Sequence, residues 1–126
     1  MKVVLNLTIK RKWFDMIASG EKREEYRDQH NVQVNNAFER IADVTLVLRN
    51  GYRMNSPALA VNMRCMYLRN FKDSIHPEWG EPTDKTHFVI ELGDILSRGT
   101  YAEIKKYLKK GGERERERDE QREEND

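Results

Sequence analysis

The sequence predicts a single α+β domain followed by a charged tail, on three observations. Apolar residues alternate with period two in several separate stretches, as in strands with one buried face. Elsewhere the period lengthens to that of a helix. Residues 113–126 hold no apolar side chain, so they cannot bury a core and are expected to be disordered.

The elements follow in chain order. Val3, Leu5, Leu7 and Ile9 alternate with Val4, Asn6 and Thr8, a strand. From Lys10 the spacing becomes helical, with Trp13, Met16 and Ile17 on one stripe and Phe14 beside it. Because Trp13 shares that stripe, it reads as packing the helix rather than as a platform for a base. Gly20 stops the helix, since glycine takes the left-handed conformation without Cβ strain. Lys22 to Asp28 reads as a short strand with Lys22 in its turn. Glu25 and Arg27 then share one face, and Glu24 and Tyr26 the other. Asn35-Asn36 caps a helix over 37–42 that buries Phe38 and Ile41.

Val44, Leu46 and Leu48 mark one face of a strand over 43–49, with Thr45 and Val47 on the other. Asn50-Gly51 signals a turn. In the strand over 59–68, Leu59, Val61, Met63, Cys65 and Tyr67 share a face. Cys65 therefore reads as a small buried hydrophobe. Residues 69–86 read as a loop, and 87–92 as the last strand, with Phe88, Ile90 and Leu92 inward and a bend at Gly93. Thr100 and Glu103 form a capping box for a helix over 100–110. Its apolar edge is Tyr101, Ile104 and Leu108, and Gly111-Gly112 ends it.

A chain of 126 residues allows one domain with a modest core, here 1–110, with the tail at 111–126. The net charge of +1 hides an asymmetry. Residues 113–126 carry eight acids and four arginines, −4, which leaves +5 on the rest. A mildly basic domain suits a polyanion. One cysteine permits no internal disulfide and points to a reducing, cytoplasmic location. No stretch has the length or apolarity of a membrane span. Three histidines without ligand spacing and one cysteine make no metal site. No phosphate-binding glycine loop occurs, and no cofactor is implied.

The stretch most loaded with chemistry is Gly20-Glu21-Lys22-Arg23-Glu24-Glu25-Tyr26-Arg27. Its Gly-x-Lys-x-x-Glu-x-Arg spacing resembles the signature of the ASCH (activating signal cointegrator homology) domain, a branch of the PUA-like superfamily. Leu5 to Lys10, Trp13 to Ile17, Asn50-Gly51-Tyr52, Glu78-Trp79-Gly80 and Leu92 to Ile95 resemble the family in the same order, over roughly residues 3–96. The resemblance implies a small PUA-like β-barrel flanked by two or three helices. It also implies a cleft that binds RNA or a modified nucleotide. In that reading Lys22, Glu25 and Arg27 line the cleft, and Glu25 and Arg27 read a base edge. Tyr26, Tyr52 and Trp79 supply stacking, Trp79 being equally readable as a cap on the barrel. Lys10, Arg11, Lys12, Lys22, Arg23, Arg49, Arg53, Arg64 and Arg69 supply positive charge.

Two other functions stay open. Some small ASCH-like proteins are amidohydrolases that deacetylate N4-acetylcytidine. They resemble this chain at Lys22, which with Glu25 would be catalytic. That branch carries a threonine where this chain has Glu25, and also uses a distant glutamate, for which Glu78 and Glu81 are the candidates. The third reading is a protein-interaction domain that uses the charged tail.

Overall fold

The computed structural model describes residues 2–39 and 43–111. Residues 112–126 of the tail, and Ile41 and Ala42 of the expected second helix, lie outside the described residues, while Gly111 continues the last helix instead of ending it. The chain runs β1 (Lys2–Thr8), α1 (Arg11–Ser19), β2 (Glu24–Asp28), α2 (Val32–Glu39), β3 (Asp43–Arg49), β4 (Pro57–Phe71) and β5 (Thr83–Thr100). A last helix, α3, covers 101–111. The strands form one mixed sheet in the order β1-β3-β4-β5-β2. Only β1 and β3 pair in parallel, and α1, β2 and α2 make the long connection that a parallel pair requires.

Alternation decides which side of the sheet each residue faces. Leu5, Leu7, Val44, Leu46, Leu48, Leu59, Val61, Phe88, Ile90 and Leu92 meet in the main core. Phe14 and Ile17 of α1 and Val34 and Ala37 of α2 cover them. Val47, Ala58 and Ala60 point the other way and are covered by Ile104 of α3, flanked by Tyr101 and Leu108. Burying Ile104 stabilises α3 on the sheet by roughly 2 kcal/mol. Its start is fixed by the capping box: Thr100 Oγ1 accepts from Glu103 N–H at 3.2 Å, and Glu103 Oε1 accepts from Thr100 N–H at 3.1 Å. The first helix ends as expected, with Gly20 at φ +86° and its N–H donating to Ile17 O.

Several sequence expectations are corrected. The second helix begins at Val32, not Ala37, because Asn31 caps it: Asn31 Oδ1 accepts from Val34 N–H at 3.0 Å. Its buried residues are Val34 and Ala37, while Phe38 lies half out. Cys65 is exposed. The β4–β5 register shifts between Ala60 and Cys65, so Met63 and then Met66 face the core. A bulge of this kind inverts the alternation beyond it. Glu91 beside the Cys65 thiol raises its pKa, which works against a reactive thiolate. The 69–86 loop shrinks to 72–82, and the last strand runs on to Thr100. Gly93 allows this by close approach, since a Cβ there would lie 2.7 Å from Asn62 O.

The implied closed barrel is also corrected. β1 and β2 are the two edges of the sheet and share no ladder. β2 uses its backbone on β5, from Glu24↔Glu91 to Asp28↔His87. Arg27 bridges the gap instead, its Nη2 donating to Thr8 O at 3.0 Å. At the next carbonyl, Ile9 O accepts from Asn50 Nδ2 at 2.9 Å. Side chains thus satisfy the end of β1, and the seam stays open.

Candidate functional site

The open seam holds a cleft of about 490 Å³, within the usual range for small-molecule sites. Thr8, Ile9 and Lys10 form one side, and Glu25 to Asp28 the other. Trp13 and Asn31 close it from the helices, and His76, Glu78, Trp79 and His87 from the 72–82 loop and β5.

The β2 side follows from strand alternation. Glu25 is only 3% exposed. Its Oε1 accepts from Tyr26 N–H at 3.0 Å, and its Oε2 lies 3.9 Å from Arg27 Nη2, an ion pair too long to be a hydrogen bond. Burial raises the Glu25 carboxyl above the ordinary range, although Arg27 and Lys22 pull it down. Tyr26, between Glu25 and Arg27 in the strand, also lines the cleft. Its hydroxyl donates to Glu24 Oε2 at 2.6 Å, and burial followed by that bond raises its pKa.

Lys22 lies behind the cleft wall rather than on it. Its ammonium sits 2.8 Å from Glu78 Oε1, with side-chain exposures of 8% and 16%. It also donates to Glu24 O and lies over the rings of Tyr26 and Trp13, at 4.6 and 5.5 Å. A carboxylate, a carbonyl and two aromatic faces all stabilise a cation. Trp13, Tyr26 and Glu78 line both the cleft and the adjoining hollow that Lys22 occupies. Lys22 therefore orients Glu78 from outside.

The 72–82 loop is tied at His76. Its N–H donates to Glu81 O, and Gly80 N–H donates back to His76 O at 2.8 Å, a closure that puts Gly80 at φ +72°. Nδ1 of His76 accepts from the N–H groups of Glu78 and Trp79, at 3.1 and 3.2 Å. The ring stacks on Trp79 at 4.6 Å and packs among Phe71, Tyr26 and His87. Burial, reinforced by His87, lowers the His76 pKa.

Among the described residues, four buried side-chain polar atoms lack a hydrogen-bond partner: Glu25 Oε2, Arg27 Nε, His76 Nε2 and Glu78 Oε1. The last keeps its ionic contact with Lys22 but not hydrogen-bond angles. All four residues line this one cleft. Buried polar atoms nearly always find partners, so the gathering of these four residues around one cleft marks it as a candidate site for a polar ligand. Among the same residues no group of three or more His, Cys, Asp or Glu converges as metal ligands do.

No family model, curated protein or solved structure is significantly similar to this chain.

The structure brings Glu25, Tyr26, Arg27 and Trp79 together and sets Lys22 one layer behind them. It does not bring in Tyr52, which is 86% exposed on the 50–56 turn and absent from the lining. Arg49 is committed elsewhere, with its guanidinium 3.5 Å from the centre of the Tyr101 ring and its Nε donating to Gly51 O. Trp13 is half-buried in the cleft wall, because Phe14 and Ile17 take the core stripe. Sequence reading missed His76 and His87. Their only signal was their place beside aromatics and a Pro-Glu-Trp-Gly turn.

Proposed function

We propose that the cleft binds a single nucleobase, of RNA or of a free or modified nucleotide, in the manner of an ASCH-type domain. The unpartnered polar atoms of Glu25, Arg27 and His76 carry this reading. Glu25 Oε2 suits the amino group of a base, and the Arg27 and His76 N–H groups suit its ring nitrogen or carbonyl. A carboxylate accepting from the cytosine amino group is an established mode of base reading. Trp13, Tyr26 and Trp79 add flat faces for stacking. Lys10 at the rim, with Arg11 and Lys12 beside it, suits a phosphate outside the pocket. Among the described residues no helix is long and apolar enough to cross a membrane.

Calorimetric titration with cytidine and with a short single-stranded RNA tests the reading. Binding should fall at least tenfold in Glu25→Ala and Arg27→Ala and stay unchanged in Tyr52→Ala. RNA binding should weaken with salt more than cytidine binding does. Equal affinity in all four proteins would refute it.

The Lys22–Glu78 contact favours a second reading, hydrolysis of an acylated amino group on such a base. Glu78 would take a proton from water as its oxygen attacks the acyl carbon. Lys22 would hold Glu78 in place for this step, and the Arg27 and His76 N–H groups in the cleft would stabilise the oxyanion. The carbon–nitrogen bond would break as the base nitrogen takes a proton, giving acetate and cytidine from N4-acetylcytidine. Cytidine release lost in both Lys22→Ala and Glu78→Gln would support it, and release that survives either change would remove it.

A further inference from the structure

We propose that His76 is the specificity-determining hydrogen-bond donor of the cleft, a neutral imidazole whose Nε2–H takes an uncharged acceptor, a carbonyl oxygen or a bare ring nitrogen of a planar heterocycle. This rests on the base-binding reading and names the ligand edge that the site selects.

The tautomer of His76 is set by the turn around it. Its Nδ1 faces two backbone N–H groups, from Glu78 and Trp79. Both are donors, so Nδ1 must be bare, and a neutral ring carries its proton on Nε2. A proton on Nδ1 would meet two donors and open the loop. The residue is 1% exposed, and Nε2 is buried without a partner. An N–H left this way costs stability unless something supplies an acceptor. Among the described residues no protein group supplies one.

The neighbours define the class of acceptor. His87 donates from Nδ1 to Lys85 O at 3.0 Å, because a carbonyl only accepts. Its ring packs edge-on to His76 at 4.8 Å. Glu25 and Glu78 bring two carboxylates to the same cleft. Arg27 and Lys22 offset the charge of these two carboxylates, so the discrimination comes from the His76 donor itself, which is neutral and gives an anionic oxygen no charge-assisted hydrogen bond. The Trp79 ring stacked on His76 at 4.6 Å, with 20° between planes, extends a flat surface that suits a planar ligand. The site therefore selects an uncharged acceptor flanked by a donor, and rejects free phosphate.

The test uses the full chain, labelled with ¹⁵N-histidine, and reads the His76 ring by NMR. At pH 7 the ring should show the Nε2–H tautomer; the Nδ1–H form or an imidazolium would overturn the proposal. Three probes are then added separately: cytidine, 2-pyridone and inorganic phosphate. Cytidine and 2-pyridone should shift the Nε2 resonance and phosphate should not. His76→Asn places an amide oxygen where Nδ1 was, which keeps the loop bonds and removes the Nε2 donor. It should bind cytidine about tenfold more weakly while the Glu78 and Trp79 amide signals stay in place. His76→Gln keeps a donor near Nε2 and should recover part of the affinity. A shift with 2-pyridone alone would uphold the donor and refute the nucleotide reading. Cytidine bound equally by wild type and His76→Asn would refute the donor and leave the nucleotide reading standing. A shift with phosphate alone, or with none of the probes, would overturn the proposal.

Discussion

Lys22 at the end of the α1–β2 turn meets Glu78 in the loop beyond β4 at 2.8 Å, with both side chains largely out of water. The pair ties the α1–β2 turn, behind the cleft wall, to the 72–82 loop that closes the cleft. Breaking one side of a buried ion pair leaves an uncompensated charge, which costs about 3–5 kcal/mol. Lys22→Met and Glu78→Gln should each lower stability by about 3 kcal/mol. The double variant should lose less than the sum by more than about 1 kcal/mol. Urea unfolding of the four proteins measures this, and strict additivity would mean that the pair is not coupled.

Glu25 sets one pH dependence. Its carboxyl pKa is raised by burial above the unfolded value of 4.5. A folded group with a raised pKa holds its proton longer than the unfolded chain does. Stability is therefore lost as pH rises from 4.5 through the folded value, and the cost persists above it. Glu25→Gln keeps the acceptor for Tyr26 N–H and removes the charge. It should raise stability at pH 7 and flatten this limb of the profile, as read from thermal melts between pH 4 and 8. A loss of stability at pH 7 would contradict this.

His76 acts with the opposite sign. Its pKa is lowered below 6.5 by burial and by His87, while Glu78 opposes the shift; Lys22 lowers it a little further. Tyr26, Phe71 and Trp79 also face the ring. The unfolded chain takes up the proton first, so stability is full above 6.5 and falls as pH drops from there through the folded value. In Glu25→Gln the opposing limb is removed and this one should show more clearly, with the His76 signal titrating below 6.5 in NMR. A value above 6.5 would contradict the assignment of Nδ1 as an acceptor.

Two glycines separate strain from crowding. Gly20 has φ +86° and open space where a Cβ would stand, whereas a Cβ on Gly93 would lie 2.7 Å from Asn62 O. Gly20→Ala should cost about 1 kcal/mol, the strain of a left-handed residue. Gly20→Asn should cost less, because asparagine tolerates that conformation. Gly93→Ala should cost more than either, since backbone must move to admit it. Chemical denaturation ranks the three, and Gly93→Ala proving the mildest would refute the close approach.

Much of this was legible in the sequence where one residue's neighbours settle its place. The faces of β1 and β3, the Gly20 stop, the Thr100–Glu103 cap and the shared face of Glu25 and Arg27 all follow from local spacing. What failed depended on distant pairing. The shifts near Met63 put Met66 on the core and Cys65 outside, and no periodicity announces a bulge. The open seam depends on Arg27 reaching Thr8 in place of a ladder. His76 was unreadable for a related reason, since its tautomer is set by amides that only the folded turn presents. Glu78 was a candidate, but its partnership with Lys22 needed the loop to fold back across the sheet.

Binding of a nucleobase in the cleft at the open seam is tested most directly by an amide NMR titration of the full chain with cytidine. Saturable shifts should concentrate at Thr8 to Lys10, Glu25 to Asp28 and His76 to Trp79, and should be lost in Arg27→Ala. No shifts at saturating cytidine, or shifts centred instead on Arg23, Asp94 and Arg98 around the separate 230 Å³ cavity, would contradict it.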